Sequence, residues 1–203
     1  MDLFEFDRSY LAKVSGAVAG VDEAGRGPWA GPVVAAAVIL APGTLIAGLN
    51  DSKKLSAAKR EELFSEITLK AVSIGVEAVG EGVIDEVNIL QATYLAMKGA
   101  LARLVPAPEL VLVDGWPIPG LSGAQVPLIG GDGKSAAIAA ASIIAKVTRD
   151  RLMCDLSEKY PDYNFKRHKG YGTKEHQEAL ERFGPCAIHR KSFAPIRKYI
   201  ALG

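Results

Sequence analysis

The feature that most constrains the fold is a short apolar run that ends in two adjacent carboxylates and a glycine-rich turn. Residues 18–21 are apolar, Asp22 and Glu23 come next, and residues 25–28 form the turn. This order predicts a buried strand that carries two acids to its end. Neighbouring carboxylates repel each other, and burial disfavours their charged forms. The pair therefore requires positive charge nearby, which a divalent cation commonly supplies.

The turn after the two acids has the composition of an anion-binding site. Gly25 and Gly27 lack side chains, so their backbone can approach a ligand closely or adopt positive φ angles. Arg26 projects between them, and backbone N–H groups together with a guanidinium can bind a phosphate. A strand, a tight turn and a solvated cluster of charges would explain the same stretch, so the rest of the chain has to decide.

The composition is that of a globular protein with a well-buried core. The chain has 203 residues, of which 49% are apolar, and this length suffices for one core with an appended subdomain. Cys154 and Cys186 lie far apart without metal-binding spacing, which is typical of a reducing compartment. Charged residues interrupt the N-terminus, so no signal peptide is expected. These features predict a cytoplasmic protein.

One uncharged run, residues 30–50, is long enough to raise the question of a membrane span. Glycine and proline residues interrupt it, so a continuous helix is not expected there. Residues 33–39 are better explained as a buried strand, because they form a short and uniformly apolar segment. We therefore expect no membrane partner.

The charges are distributed unevenly along the chain. Residues 146–203 contain 13 Lys and Arg against 7 Asp and Glu, whereas residues 1–145 contain 11 against 16. A basic C-terminal third beside an acidic centre suits a polyanionic substrate held next to metal-binding carboxylates. Basic residues that merely solvate exposed helices would give the same balance.

The hydrophobic pattern predicts alternating strands and helices. Four apolar segments have the length of strands: residues 14–21, 33–39, 71–79 and 109–113. Ser56 and Asp85 are expected to cap the two helices that follow them, and residues 136–160 to form a long helix that begins with small residues. Residues 1–13 are expected to be a loosely specified lead-in and residues 115–131 a loop. Short helices and loops are expected after residue 160.

Two further acids occupy positions similar to those of the first pair. Asp114 ends the strand at 109–113, and Asp132 lies in a glycine-rich loop before the long helix. If the strands that carry Asp22 and Asp114 are neighbours, their carboxylates meet at one sheet edge, and Asp132 can reach them from its loop. Such oxygen ligands select Mg²⁺ or Mn²⁺ over zinc. The chemistry natural to this arrangement is two-metal phosphodiester hydrolysis.

Five segments resemble the bacterial ribonuclease HII family, the type 2 ribonucleases H, in the right order across nearly the whole chain. They are residues 20–28, 51–55, 113–115, 131–132 followed by 139–150, and 168–171. The resemblance implies an α/β, ribonuclease H-like fold, with a mixed five-stranded sheet flanked by helices. It also implies a catalytic domain over residues 1–160 and a small C-terminal helical extension for substrate binding over residues 161–203.

The same resemblance implies a metal-dependent endoribonuclease. Its substrates would be RNA/DNA hybrids and DNA duplexes that contain ribonucleotides, cut on the 5′ side of the ribonucleotide to leave 3′-hydroxyl and 5′-phosphate ends. Mg²⁺ or Mn²⁺ would be the cofactor. The residues that match the family's catalytic and metal-binding acids are Asp22, Glu23, Asp114 and Asp132.

Residues for substrate contact also follow from the resemblance. Gly25-Arg26-Gly27, called here the GRG segment, resembles the family element that reads the ribose 2′-hydroxyl, the group that distinguishes RNA from DNA. Tyr171 matches the tyrosine that stacks on the following deoxyribose. Phosphate contacts are expected for four further residues: Lys53, Lys54, Ser142 and Lys146. Ser142 could instead serve helix packing. Structural or phosphate-facing roles are expected for His168 and His189.

Three readings remain open at this point. The first is an active hybrid-specific endoribonuclease, expected to act as a monomer, with a sliding clamp as a partner that the sequence neither requires nor excludes. The second is a relative that binds hybrids without cutting them, and the third is another nuclease on the same fold. The third differs from the first in cutting duplexes that lack ribose.

Overall fold

The computed structural model describes residues 2–50 and 52–200. Within these residues the strands are β1 (Val18–Ala24), β2 (Val33–Leu40), β3 (Ala71–Val79), β4 (Leu110–Asp114) and β5 (Ala124–Leu128). The α-helices are α1 (Leu3–Leu11), α2 (Ala57–Lys70), α3 (Glu81–Val87), α4 (Ile89–Ala102), α5 (Ala136–Lys159), α6 (Phe165–His168), α7 (Lys174–Phe183) and α8 (Ala194–Ile200). Short 3₁₀ turns span Ser52–Lys54, Gly131–Gly133 and Pro161–Tyr163.

The strands form one mixed sheet in the order β3-β2-β1-β4-β5. β2 runs antiparallel to β1 and β3, whereas β4 runs parallel to β1 and β5. Helices α3 and α4 cover one face of the sheet, and α2 and α5 cover the other. The predicted mixed five-stranded sheet flanked by helices is therefore confirmed.

The alternation of side chains along the strands assigns each residue to one of these faces. Ala19 and Val21 of β1 and Val113 of β4 belong to the core under α3 and α4. The alternate positions of the same strands, Asp22 and Asp114, therefore turn toward the face that α5 covers.

Helix α5 lies directly against β1. A Cβ atom on Gly20 would collide with the backbone of Ala137 and Ile138, so glycine is needed at this crossing. The first turns of α5 consist of small residues, as the sequence predicts, and residues 136–145 are all buried. This close contact brings the middle of α5 near the end of β1.

Two segments predicted to lack regular structure form elements of the fold. Residues 3–11 form α1, because Phe6, Tyr10 and Leu11 pack against the sheet and α5, and the Asp7 carboxylate accepts a 2.8 Å hydrogen bond from the Ala137 N–H. Residues 124–128 form the edge strand β5 inside the predicted loop. β5 is partly exposed and contains a proline, so its sequence lacks the apolar run of a central strand.

The structure also tests the predicted start of β1 and the two predicted helix caps. β1 begins at Val18 and not at residue 14, and it includes Asp22 and Glu23, which are register partners of Ala36 and Ala35. The predicted Asp85 cap is wrong: α4 is capped by Asn88, whose side chain accepts hydrogen bonds from the N–H groups of residues 90 and 91. The Ser56 cap of α2 is confirmed by a 3.2 Å hydrogen bond from the Lys59 N–H.

The C-terminal helices form a smaller apolar cluster of their own. Phe165, Leu180 and Ile196 pack there against Met153 of α5 and Ala30 of the loop between β1 and β2. Asp85 contributes to this attachment, because its carboxylate accepts hydrogen bonds from the N–H groups of residues 191 and 192 at 2.9 and 2.8 Å. A division at residue 160 stays a prediction. Across the described residues, no helix has both the length and the apolar character to cross a membrane.

Candidate active site

The carboxylates of Asp22, Asp114 and Asp132 meet at the end of the two central parallel strands. Val21 of β1 and Val113 of β4 are register partners, so the acids that follow them lie side by side. Each of the three residues offers a carboxylate oxygen, and these oxygens all lie within 4.8 Å of one another. We call these residues the carboxylate triad. The expectation that Asp22 and Asp114 meet at one sheet edge, with Asp132 arriving from a loop, matches this geometry.

The loop that carries Asp132 is fixed to the end of β4. The Gly131 N–H donates a 2.6 Å hydrogen bond to Asp114 Oδ1. A Cβ atom on Gly131 would lie 2.6 Å from the Ile138 side chain and 3.2 Å from that same carboxylate oxygen, so the close approach requires glycine. Asp132 follows as a buried residue and is only 6% exposed.

The triad concentrates negative charge in a buried position. Burial raises the pKa of Asp22 well above its ordinary value, and the charges of Glu23 and Asp114 raise it further. A hydrogen bond from the Ser142 side chain offsets part of this effect, and so does the Glu23 N–H, which donates a 2.7 Å hydrogen bond to Asp22 Oδ1. Lys53 Nζ reaches only to 3.9 Å from Asp132 and is mostly exposed. Crowded, buried oxygen donors of this kind are suited to a hard divalent cation.

Glu23 lies beside the triad but is not one of its members. It alternates with Asp22 along β1 and so points toward the opposite face of the sheet. Its carboxylate pairs with Arg26 at 3.2 Å, while burial raises its pKa. The predicted role of Glu23 as a fourth metal ligand stays a prediction.

A groove of about 480 Å³ opens next to the triad. Most of the residues predicted to contact substrate line it, together with Glu23: the GRG segment, Lys53, Ser142, Lys146 and Tyr171. Lys54 is exposed on the same 3₁₀ turn as Lys53 but does not line the groove. Asp51, which belongs to one of the matching segments, lies outside the described residues.

Two groove residues of α5 also have partners within the protein. The Ser142 and Ser52 hydroxyls lie 2.9 Å apart, so Ser142 links α5 to the 3₁₀ turn that carries Lys53. Lys146 forms a 2.6 Å ion pair with Asp150, and burial lowers its pKa. The packing alternative for Ser142 therefore has direct support, and its contact with phosphate stays a prediction.

Two buried arginines that sequence reasoning missed support the loop of residues 25–32, called here the β1–β2 loop. The Arg190 guanidinium donates to the carbonyls of residues 25, 26 and 31 at 2.6, 2.9 and 3.0 Å. The Arg149 guanidinium donates to the carbonyls of residues 30, 32 and 169 at 3.2, 2.9 and 3.1 Å. A side chain on Gly25, whose φ is 98°, would collide with Arg149.

Burial lowers the pKa of Arg149 to about 10 and, together with the charge of Arg149, lowers that of Arg190 to about 9. Helical spacing offered a signal for Arg149, because it follows the buried Ser142 and Ala145 on one face of α5. No comparable pattern surrounds Arg190.

The three histidines lie away from the triad, in a cluster with aromatic residues of the C-terminal helices. His168 and His176 stack at 4.6 Å between ring centroids, and His176 Nε2 lies 2.9 Å from His189 Nε2. Burial lowers the pKa of His176 and of His189 to about 4. His176 Nδ1 lies 2.9 Å from the Tyr171 carbonyl, so this cluster, which includes the previously overlooked His176, supports one wall of the groove.

The fold and the carboxylate triad define a metal-dependent nuclease with a ribonuclease H-like fold. Comparison with known proteins agrees: a curated ribonuclease HII from Endomicrobium trichonymphae is 53% identical over 201 residues, which cover 98% of this chain and 96% of that protein. The family model described as Ribonuclease HII matches residues 19–196, and the chain belongs to this family. It is therefore a metal-dependent ribonuclease H of type 2.

Two solved structures are similar to the whole fold. The ribonuclease H2 from Pyrococcus horikoshii OT3 has a TM-score of 0.76 and 29% identity, and the match covers 92% of this chain and 98% of that one. The RNase HII of Archaeoglobus fulgidus, solved in a complex with PCNA, has a TM-score of 0.73 and 30% identity, with 86% and 93% covered.

Proposed function

We propose that this chain cleaves the RNA strand of RNA/DNA hybrids and incises duplex DNA on the 5′ side of single ribonucleotides, with Mg²⁺ or Mn²⁺ as cofactor. The observation that carries the proposal is the position of the GRG segment and Tyr171 in one groove beside the carboxylate triad. The residues proposed to recognise ribose thus lie next to the carboxylates proposed to bind the metal.

Asp22, Asp114 and Asp132 would hold the metal, with Glu23 as a further ligand from the opposite face. Their oxygen donors favour Mg²⁺ or Mn²⁺ over softer cations. When bound, a pair of such ions supplies activation of a water nucleophile and neutralisation of charge on the leaving oxygen. Burial and the charges of Glu23 and Asp114 raise the pKa of Asp22, and a carboxyl would hold the metal in its ionised form, so metal affinity should fall as the pH falls.

The other groove residues would bind and orient the duplex. Lys53 and Lys146 supply positive charge for backbone phosphates, and Lys54 and Ser142 are further candidates for such contacts. Tyr171 is 44% exposed, so its ring is available to stack on the sugar that follows the ribonucleotide. In-line attack of water on phosphorus with departure of the 3′-oxygen leaves a 3′-hydroxyl and a 5′-phosphate.

We further propose that the chain acts on duplexes as a monomer, and a sliding clamp is a candidate partner. The support for a clamp is limited to the Archaeoglobus fulgidus protein, which was solved in a complex with PCNA. Gel filtration of the chain, alone and mixed with the clamp of the same organism, tests both statements. Elution of the chain at the mass of a dimer would contradict the monomer. Separate elution of the chain and the clamp would contradict the clamp as a partner.

The proposed activity is tested with three labelled duplexes: an RNA/DNA hybrid, a DNA duplex with one ribonucleotide, and an all-DNA control. Each is incubated with Mg²⁺, with Mn²⁺ and with chelator. We expect metal-dependent cutting of the first two and none of the control. Tight binding without cutting would favour the non-catalytic relative, and cutting of the control would favour another nuclease.

A further inference from the structure

Arg190 holds the GRG segment from beneath the groove. It is fully buried, and two of its three guanidinium hydrogen bonds end on the consecutive carbonyls of Gly25 and Arg26. Neither Arg190 nor Arg149 has a carboxylate partner among the ion pairs of the described residues. The charges of Glu81 and Asp85 favour the charged form of Arg190 from a distance, but its direct hydrogen-bond partners are carbonyl dipoles, so burial of its charge depends on the position of these carbonyls.

Fixing these two carbonyls also fixes the direction of two N–H groups. The peptide bonds after Gly25 and Arg26 are trans, since the cis bond of the described chain is at Val105-Pro106. In a trans peptide the carbonyl and the N–H point in opposite directions. The N–H groups of Arg26 and Gly27 therefore point away from Arg190, on the side where the GRG segment lines the groove.

Both N–H groups are available to a ligand. Among the hydrogen bonds of residues 2–50 and 52–200, neither the Arg26 N–H nor the Gly27 N–H has an acceptor. Gly27 faces Tyr171, whose ring would lie 3.8 Å from a Cβ atom at this position. Two adjacent donors of fixed direction, next to an aromatic ring, are suited to an oxygen of a sugar or a phosphate.

We propose that Arg190 is a positioning residue for ribose recognition: it orients the Arg26 and Gly27 N–H groups so that they donate to the substrate at the ribonucleotide. This inference rests on the proposed function. Arg190 itself does not touch substrate, because it is buried behind the segment that does. Its short distance to Gly25 O, 2.6 Å, indicates a strong, charge-assisted contact.

Arg149 provides the matched control. It is buried to the same degree as Arg190 and also donates to three carbonyls, but these belong to residues 30, 32 and 169. Arg149→Lys removes a buried guanidinium without releasing the two carbonyls that orient the Arg26 and Gly27 N–H groups. A general loss of stability would affect both variants, whereas a loss of orientation affects only Arg190→Lys.

The first experiment measures ribose preference as the ratio of Kd for an all-DNA duplex to Kd for the same duplex with one ribonucleotide. Arg190→Lys and Arg149→Lys are each placed in an Asp114→Asn background, which is expected to bind without cutting. Because one lost hydrogen bond to a well-oriented donor corresponds to about tenfold in affinity, Arg190→Lys should lower the ratio by about tenfold. Affinity for the all-DNA duplex and the ratio for Arg149→Lys should stay unchanged.

An unchanged ratio in Arg190→Lys, or an equal fall in both variants, would overturn the inference. A background protein with Arg190 intact that shows no ribose preference would overturn the proposed function and this inference with it. The two failures are therefore distinguishable.

The second experiment needs no change at position 190 and so does not depend on the folding of the variant. Amide hydrogen exchange is followed in the Asp114→Asn protein alone, with the ribonucleotide duplex and with the all-DNA duplex. The Arg26 and Gly27 amides should exchange rapidly in the free protein and be protected by the ribonucleotide duplex alone. Equal protection by both duplexes, or slow exchange in the free protein, would overturn the inference.

Discussion

The carboxylate of Asp114 accepts a 2.6 Å hydrogen bond from the backbone N–H of Gly131. This contact joins the end of β4 to the turn that carries Asp132. Asp114 therefore lies at the sheet edge and also fixes the position of the loop that carries Asp132. The geometry of the triad thus depends on the parallel strands that carry Asp22 and Asp114, and on the hydrogen bond that links the loop of Asp132 to Asp114.

Asp114→Asn separates the charge of Asp114 from its structural contact. The amide oxygen of asparagine can still accept from the Gly131 N–H, so the loop should stay in place while one negative ligand is lost. We expect turnover of an RNA/DNA hybrid to fall by about 10³-fold, with Kd for the hybrid changed by less than about threefold. Steady-state kinetics and hybrid binding measure the two effects.

Asp155→Asn, an exposed position on α5, is the control for the loss of a negative charge. Its turnover should equal that of the unaltered protein. Retained turnover in Asp114→Asn would contradict the assignment of the triad.

Asp22→Asn should stabilise the metal-free protein. Because folding raises the pKa of Asp22 above 3.8, the folded state binds the proton more tightly, and stability is lost as the pH rises through the folded pKa. At neutral pH the substitution removes this cost, so the metal-free Tm should rise by about 2–4 °C for each kcal/mol regained.

Added Mg²⁺ should raise the Tm of the unaltered protein more than that of Asp22→Asn, because the ion binds the folded state through this carboxylate. Calorimetry with chelator and with Mg²⁺ measures both changes. A lower metal-free Tm in Asp22→Asn would show that the buried charge is compensated by the protein itself.

Tyr171→Ala should affect single ribonucleotides more than long hybrids. Removing the ring removes stacking on the sugar that follows the ribonucleotide, a contact worth about tenfold by analogy with aromatic stacking on bases. We expect kcat/KM to fall about tenfold on a duplex with one ribonucleotide and less than about threefold on a long hybrid. Tyr171→Phe keeps the ring and should stay close to the unaltered protein, whereas equal losses on both substrates would remove the sensing role.

The buried histidines predict a loss of stability in acid. His176 Nδ1 faces the Tyr171 carbonyl and so carries hydrogen, which leaves its Nε2 to accept from His189. Protonation would place two N–H groups opposite each other. Because burial lowers the pKa of both from 6.5 to about 4, the unfolded state binds more protons between these values, and the free energy of unfolding should fall as the pH falls from 6.5 to 4, by about 3 kcal/mol for each histidine.

The comparison with His189→Gln isolates this effect in urea unfolding at several pH values. The glutamine amide can still donate to His176 Nε2 but does not titrate, so the dependence on pH should be weaker. Asp7, whose pKa burial raises to about 6, contributes with the opposite sign in both proteins and cancels in the comparison. An equal dependence of the free energy of unfolding on pH in the unaltered protein and in His189→Gln would contradict a neutral His176–His189 pair.

The position of Asp22 and Asp114 at strand ends was predictable from the sequence because strand alternation is a local property, whereas the pairing of their strands was a condition that the structure supplies. An apolar run followed by an acid occurs at both Asp22 and Asp114, and parallel neighbours bring such acids to one edge. Helix α5 was predictable for a similar reason, since its length and its small residues are continuous in the sequence. The β5 strand and α1 were missed because their stability comes from contacts with the rest of the fold.

The support beneath the groove was the part that the sequence could not reveal. Arg149 and Arg190 are residue types that are mostly exposed, and their partners are backbone carbonyls up to 165 positions away. His176 gave no signal, since its partners lie at Tyr171 and His189 on separate segments. Helical spacing places Arg149 on the buried face of α5, but the carbonyls that it and Arg190 bind depend on tertiary structure and cannot be inferred from any periodic pattern.

The most direct test of the account is the chemical identity of the ends produced from a DNA duplex with one ribonucleotide. Mass spectrometry of the products should show a single metal-dependent cut on the 5′ side of the ribonucleotide, with a 3′-hydroxyl on one fragment and a 5′-phosphate on the other. This result would mean that the ribose is recognised while water attacks phosphorus. A cut on the 3′ side with a 2′,3′-cyclic phosphate, independent of metal, would make the 2′-hydroxyl the nucleophile and contradict the role of the carboxylate triad.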